Sequence, residues 1–269
     1  MISIGTTFNY DIALKDQLPM IKEAGFSHIS LGANTEHADY LSVPVRKTIK
    51  SMIRDNGLAI CSVHVPFGKA LDISSPDSSI SDGTIETYKR CIEAAQLLGA
   101  GIVIFHPTRY MRFDDIELRK RTITRNVERV LGSAGSGDVQ LAVENDRFEP
   151  SNDVLAHSLD EINDARYGFC YDSSHDNLVG TTFTLLEKYG SRLRATHISD
   201  NRGEEDDHLL PFEGSYDWPG FYTLFSRIPY AGIFLLEVEM RESMFKQPEV
   251  FLREAFDRGE RILHSCGKR

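Results

Sequence analysis

Short runs of β-forming residues alternate with helical patterns along the whole chain, and this alternation restricts the fold more than any other feature. The predicted strands are 2–8, 28–32, 58–66, 101–107, 139–145, 168–174, 193–200 and 232–240. The predicted helices are 14–25, 45–57, 85–99, 117–132, 152–164, 182–190, 218–228 and 249–265. Helices between strands imply parallel strands, in either an open doubly wound sheet or a closed barrel. Eight such units in 269 residues, with no glycine-rich nucleotide-binding motif after the first strand, favour a single α/β domain of the (β/α)8 TIM barrel type.

The composition agrees with one barrel domain over residues 1–269. Apolar residues make up 41% and charged residues 26%, which allows a sizeable core. The four cysteines lack metal-type spacing, and neither a signal-peptide pattern nor an apolar run of membrane length is present, so we predict a cytoplasmic protein without a membrane partner. The net charge of −10 disfavours nucleic acid as a partner.

Ionisable side chains occur near the ends of the predicted strands, where a barrel of this type carries its active site. Each strand from the third to the eighth supplies such a residue: His64, His106, Glu144, Asp172, His197 and Glu237. Burial of these groups is costly unless they are paired or bind a metal, so apolar strands that carry carboxylates inward indicate a cation. We predict that the last four of these residues hold one divalent metal.

The predicted ligand set contains three carboxylates and one imidazole, which suits Mn²⁺, Mg²⁺, Co²⁺ or Zn²⁺. Further side chains could bind additional metal or the substrate, and would extend the site to two or three zinc ions: His64, His106, His175, Asp206 and His208. Glu239 lies two residues beyond Glu237, on the same side of an ideal strand, so the ligand on the eighth strand stays open. We prefer Glu237 because the Leu-Leu-Glu run reaches it first.

Several motifs together resemble one superfamily: LAVEN at 141–145, YDSSH at 171–175, the stretch THISDNRGEEDDHLLPFEGSYDW at 196–218, and LLEVE in the last strand. This pattern is similar to that of the xylose isomerase-like barrels, which include sugar phosphate isomerases and epimerases and also endonuclease IV. The resemblance covers essentially the whole chain. One departure is Phe212-Glu213-Gly214, where Gly-Glu-Gly is frequent in the superfamily.

The resemblance implies roles for individual residues. In the isomerases and epimerases, the counterparts of the four predicted ligands hold one metal. The counterparts of Glu144 and Glu237 also act as the acid/base pair, and His175 resembles a histidine that touches the substrate. In endonuclease IV a fuller set holds three zinc ions, and the additional residues named above match that pattern too.

The predicted activity is divalent-metal-dependent isomerisation or epimerisation of a small sugar or sugar phosphate. The metal would polarise a carbonyl group and two glutamates would exchange a proton with the neighbouring carbon, although a hydride shift would use the same metal. Endonuclease IV-like phosphodiester cleavage by several zinc ions is an alternative, which the acidic DNRGEEDDH stretch after His197 disfavours. The same residues would also suit a metal-dependent dehydratase or lyase acting on a polyol or keto acid, or a metal-binding barrel without catalysis.

Side chains beyond the strand ends are candidates for contact with a small carbohydrate. An anionic group of the substrate could be bound by arginines that follow strands 4, 7 and 8: Arg109, Arg112, Arg202 and Arg241. The wall of the pocket could be aromatic: Tyr10, Phe67, Tyr110 and Trp218. Of these we select Arg202 and Trp218, with His175, as predicted substrate-binding residues. Exposed barrel helices would also allow a homodimer.

Overall fold

The protein is an eight-stranded parallel barrel in a computed structural model that describes residues 2–32, 34, 36–68, 70–108, 115–133, 137–180 and 183–268. The strands are β1 (Ile4–Thr6), β2 (His28–Leu31), β3 (Ala59–His64), β4 (Ile102–Phe105), β5 (Gln140–Glu144), β6 (Tyr167–Asp172), β7 (Leu193–His197) and β8 (Phe234–Leu236). They lie in the order β7-β6-β5-β4-β3-β2-β1-β8. The Ile198 N–H donates to Leu235 O at 2.9 Å and brings β8 against the end of β7. The prediction of a (β/α)8 barrel is confirmed.

The helices in the described part of the chain lie between the strands. They are α1 (Leu14–Glu23), α2 (Val43–Asp55), α3 (Ser78–Leu98), α4 (Ile116–Ser133), α5 (Glu149–Glu161), α6 (Ser173–Val179), α7 (Thr184–Tyr189), α8 (Trp218–Phe225) and α9 (Pro248–Ser265). None of these described helices is long and apolar enough to cross a membrane. Gly99 ends α3 at a φ of 84°, a left-handed conformation that favours glycine.

Two helices differ from the sequence prediction because side chains cap them. The Asp77 side chain accepts a hydrogen bond from the Ser79 N–H, so α3 begins seven residues before the predicted start at 85. The Asp172 side chain accepts one from the His175 N–H at 2.7 Å. This cap starts α6 directly at the end of β6, within a segment predicted as strand, and the sequence analysis missed α6 altogether.

A small apolar layer lies directly below the predicted metal ligands. Four buried residues form it: Ile104, Ala142, Cys170 and Ala195. Each lies two residues before a candidate site residue at the end of the same strand or directly after it, so the two sets face the same side of the sheet. The main core packs separately and includes residues from most of the helices. All four cysteines are free thiols.

Candidate active site

A cavity of about 230 Å³ lies at the carboxyl ends of the strands. Its lining residues are Thr7, Tyr10, Asn34, His64, Phe67, His106, Glu144, His175, Asp206, His208, Glu237 and Glu239. This set holds most of the site residues predicted from the sequence. Asp172 and His197 lie beneath them, with only 0% and 1% of their surface exposed.

The four predicted metal ligands come together on the last four strands of the barrel. Ligand atoms of Glu144, Asp172, His197 and Glu237 all lie within 4.8 Å of one another. His197 Nδ1 is 2.8 Å from Glu144 Oε1 and also 2.8 Å from Glu237 Oε2. Because β5 and β8 are separated by β6 and β7, the two glutamates approach this point from different sides of the barrel end.

Burial and neighbouring charges act against each other on these carboxylates. Burial alone would raise the pKa of Glu144, but His197 and His106 outweigh it and lower that pKa well below the usual range. For Asp172 burial dominates: it raises the pKa to about 7, against the lowering effect of His175. The site is therefore short of positive charge around Asp172.

The residues fit a divalent cation. Asp172 Oδ2 and His197 Nε2 are buried without a hydrogen-bond partner, which is costly in a protein interior. Among the described residues, the ion-pair partners of the three carboxylates are all histidines. Oxygen and nitrogen donors that converge without a lysine or arginine are the set that a divalent metal takes up.

Glu144 also belongs to a second group of potential ligands. Its Oε2 lies 3.0 Å from His64 Nε2 and 3.9 Å from His106 Nε2, while its Oε1 faces His197. Ligand atoms of these two histidines and Glu144 lie within 4.8 Å of one another. A further group combines Glu144 and His197 with Cys170 from the layer below.

Another cluster of polar side chains includes His175 of α6. His175 Nε2 is 3.0 Å from Asp206 Oδ2, and its Nδ1 is 2.8 Å from Asn145 O. His208 Nε2 lies 3.5 Å from the same Asp206 oxygen. The structure thus brings the predicted additional residues together at the edge of the cavity.

The structure distinguishes Glu237 from Glu239. Glu237 follows β8 directly, contacts His197, and belongs to the group of four ligands. Glu239 lines the cavity, but it belongs to none of the described ligand groups and its Oε2 lies 3.9 Å from Arg241. The geometry favours Glu237, the residue preferred from the sequence.

Two predicted substrate-binding residues lie elsewhere. Trp218 is buried, and its indole N–H donates to Asp200 Oδ2 at 3.0 Å, because that buried carboxylate requires donors. Arg202 is exposed, pairs with Asp207 at 3.4 Å, and lines a separate surface cavity. The prediction that these two side chains contact the substrate is at odds with their positions. Three other candidates lie outside the described residues: Arg109, Tyr110 and Arg112.

Asn145 is a supporting residue that the sequence analysis missed. Its Nδ2 donates to Asp172 O at 2.8 Å, and its Oδ1 accepts from the Asp172 N–H at 2.7 Å. The same residue's carbonyl oxygen contacts His175. The sequence does show a polar amide directly after Glu144 in LAVEN. It does not show that this amide would bond to the Asp172 backbone, 27 residues away in the chain, because that contact depends on the tertiary structure.

Known proteins are similar to this chain in sequence or in fold. The uncharacterized protein y4fM of Sinorhizobium fredii is 27% identical over 271 residues, covering 91% of this chain and 87% of its own length. A D-tagatose 3-epimerase-like protein superposes with a TM-score of 0.80 at 20% identity, covering 98% of each chain. D-psicose 3-epimerase from Clostridium cellulolyticum H10, solved with D-tagatose, gives 0.76 at 15% identity over 99% of each chain.

A metal-containing structure is also similar. The IOLI protein with a bound zinc atom gives a TM-score of 0.74 at 16% identity, covering 100% of this chain and 99% of its own. At these identities the likeness shows a common fold. The family model described as xylose isomerase-like TIM barrel matches residues 18–260. Because this match extends over most of the sequence, the chain belongs to the xylose isomerase-like TIM barrel family.

Proposed function

We propose that the protein is a divalent-metal-dependent epimerase or isomerase of a small keto sugar. The observation that carries this proposal is the convergence of Glu144, Asp172, His197 and Glu237, whose ligand atoms lie within 4.8 Å of one another at the floor of a cavity. The names of the similar structures, D-tagatose 3-epimerase-like protein and D-psicose 3-epimerase, support a sugar as the substrate.

These four residues would hold the metal, which when bound polarises a carbonyl group and so acidifies the neighbouring C–H. Glu144 and Glu237 both line the cavity and reach it from β5 and β8. One carboxylate would take the proton from the carbon beside the carbonyl, and the other would return a proton to the opposite face or to the adjacent carbon. Such positioned acid and base groups typically contribute about 10²–10⁴-fold in rate.

The cavity favours a small, uncharged substrate. Its volume of about 230 Å³ suits a molecule of a few carbon atoms. Among the described residues the lining includes Glu144, Asp206, Glu237 and Glu239 but no lysine or arginine. A sugar with free hydroxyl groups therefore fits this lining better than a sugar phosphate, whose anion would face these carboxylates.

A multinuclear phosphodiesterase is the competing function, and the second ligand group is the observation in its favour. His64, His106 and Glu144 could hold a further ion, as a zinc-dependent nuclease would require. The acidic lining opposes that function, since proteins that bind nucleic acid neutralise phosphates with lysine and arginine.

The metal content of the purified protein separates the two functions. Wild type would be measured beside Glu144→Ala and His106→Ala, with the exposed Glu242→Ala as control, after loading with Mn²⁺ or Zn²⁺. We expect about one ion per chain, lost in Glu144→Ala and kept in His106→Ala, as for a mononuclear site. Two or three zinc ions, reduced by His106→Ala, would favour the phosphodiesterase, and no metal under any loading condition would reject both.

The reaction itself is tested with D-psicose and D-tagatose in D₂O. Turnover with incorporation of solvent deuterium at the carbon beside the carbonyl, followed by NMR, would support proton transfer by the glutamates. Turnover without incorporation would indicate a hydride shift. If the metal-loaded protein turns over neither these sugars nor other ketoses, the proposed function is wrong.

A further inference from the structure

At the rim of the cavity, where the carboxyl ends of the strands lie, the described residues that end β1 and β2 or directly follow them carry no ionisable group, unlike those of the other six strands. Directly after β1, Thr7 lines the cavity. On β2, Ser30 contacts Ser62 at 2.8 Å on the face that also carries His64, and Gly32 comes two residues later on the same face. This part of the rim has room for a side chain from elsewhere.

Tyr10, from the connection between β1 and α1, fills that room. A Cβ atom placed on Gly32 would lie 1.6 Å from the Tyr10 hydroxyl oxygen and 2.7 Å from the ring carbon that bears it. Any side chain at position 32 would therefore displace the phenol. Tyr10 lines the cavity, and its hydroxyl group lies directly over Gly32.

The connection that carries Tyr10 is anchored from below. Gln17 of α1 is fully buried, and its Nε2 donates to Asn9 O at 3.1 Å and to Ile12 O at 2.9 Å. The Tyr10 ring also meets His37 edge-on, with the ring centroids 5.3 Å apart. The phenol is thus held in place before any ligand binds, which lowers the entropic cost of a hydrogen bond to that ligand.

The Tyr10 hydroxyl is an available donor. It has no hydrogen-bond partner among the described residues. Burial raises the pKa of Tyr10, and the nearby Glu237 and Glu239 raise it further, so the phenol keeps its proton. Such a group can donate to an oxygen atom of a bound molecule.

We propose that Tyr10 is a substrate-binding residue that donates a hydrogen bond to a hydroxyl oxygen of the sugar, and that Gly32 is required to admit it. In the parallel barrel, β1 and β2 lie across from β5 and β6, so this contact would fix a part of the sugar away from Asp172. The proposal rests on the proposed epimerase or isomerase function and adds a residue that selects the substrate.

The test compares wild type with Tyr10→Phe, which keeps the ring against His37 and removes only the donor. Tyr222→Phe, on the partly exposed face of α8, is the matched control. The metal-loaded proteins would be assayed with whichever of D-psicose, D-tagatose and other ketoses wild type turns over, and with the mono-deoxy derivatives of that sugar. Metal content and thermal unfolding would be recorded for each variant.

We expect Tyr10→Phe to lower kcat/KM by about tenfold, the size of one hydrogen bond, mostly through KM and with unchanged metal content. With wild type, kcat/KM for one mono-deoxy derivative should be lower than for the parent sugar by about the same factor. With Tyr10→Phe, kcat/KM for that derivative should be little lower than for the parent sugar, because the hydrogen bond is already absent. Equal kcat/KM values for wild type and Tyr10→Phe, or losses that simply multiply for every deoxy sugar, would overturn the role of Tyr10 while leaving the proposed function intact. Absence of turnover by wild type would reject the function itself and, with it, this inference.

Discussion

Two regions at the carboxyl end of the barrel strands bury carboxylates in different ways. Asp72 lies in the connection after β3, and both of its carboxylate oxygens accept hydrogen bonds. Oδ2 accepts from Arg119 Nη1 at 2.8 Å and from Thr108 Oγ1 at 2.9 Å. Oδ1 accepts from the N–H and the hydroxyl group of Ser74. At the rim, Asp172 Oδ2 has no hydrogen-bond partner. The chain thus supplies an arginine as the cation for Asp72. For Asp172, the only ion-pair partner among the described residues is a histidine.

This difference between Asp72 and Asp172 distinguishes a carboxylate that stabilises the fold from one that is available to bind a ligand. A buried carboxylate whose donors are complete stabilises the loops it joins and has no capacity left to react. A carboxylate with an unsatisfied oxygen costs stability, and such groups persist where binding repays that cost. The two regions should therefore respond to mutation and to metal in these opposite ways.

The largest effect is expected at the rim, on catalysis. Glu237→Gln keeps the shape of the side chain but removes a base, so kcat should fall by about 10²–10⁴-fold at saturating metal. The exposed Glu249→Gln on α9 should match wild type. Initial rates with the ketose that wild type turns over measure both variants, and a loss of less than tenfold in Glu237→Gln would exclude it from the acid/base pair.

In the Asp72 region the effect should appear in stability. Arg119→Met leaves the Asp72 carboxylate buried without its cation, which typically costs about 3–5 kcal/mol in the free energy of unfolding. Urea unfolding measures this cost, which should be the same with and without added metal. The double variant Asp72→Asn/Arg119→Met should recover part of the loss, and a double variant no more stable than Arg119→Met would contradict the pairing.

The sequence predicted elements better than it predicted contacts. Candidate ligands lie at or directly after the ends of six successive strands, β3 to β8, because period-two alternation and the parallel arrangement place neighbouring side chains together, and this follows from residue order alone. The last strand departs from its predicted bounds of 232–240: β8 ends at Leu236, and Glu237, whose N–H donates to Ile198 O at 3.1 Å, follows directly and contacts His197. The sequence carries no local signal of that departure.

Long-range choices of partner could not be read from the sequence. Trp218 looked like a sugar-stacking residue, but its indole N–H satisfies Asp200, eighteen residues earlier. Tyr10 looked like one of several aromatic residues, and its position depends on Gly32, which directly follows β2 and leaves space for the phenol. Each outcome depends on which of several similar residues the fold brings into contact.

The next effect concerns metal and stability at the rim. A ligand that binds only the folded state at one hundred times its Kd adds about 2.7 kcal/mol to the free energy of unfolding. Mn²⁺ or Zn²⁺ should therefore raise the Tm of wild type, and Asp172→Asn should abolish that rise. Asp153→Asn, at an exposed position of α5, should keep it. A metal-dependent rise in Asp172→Asn equal to that of wild type would remove Asp172 from the ligand set.

The smallest effect is expected on the free energy of unfolding, when each of two glycines is replaced by alanine. Gly32→Ala places a methyl group against the Tyr10 phenol and should cost about 1–3 kcal/mol through overpacking. Gly83→Ala in α3, where the added Cβ meets no atom within 4 Å apart from its own stretch of helix backbone, should instead stabilise by about 0.5–1 kcal/mol. Urea unfolding of Gly32→Ala in the Tyr10→Ala background distinguishes the causes, since the cost should disappear once the ring is absent. An equal cost in the wild-type and Tyr10→Ala backgrounds would mean that the backbone requires glycine at position 32 for another reason and that Gly32 does not determine the position of Tyr10.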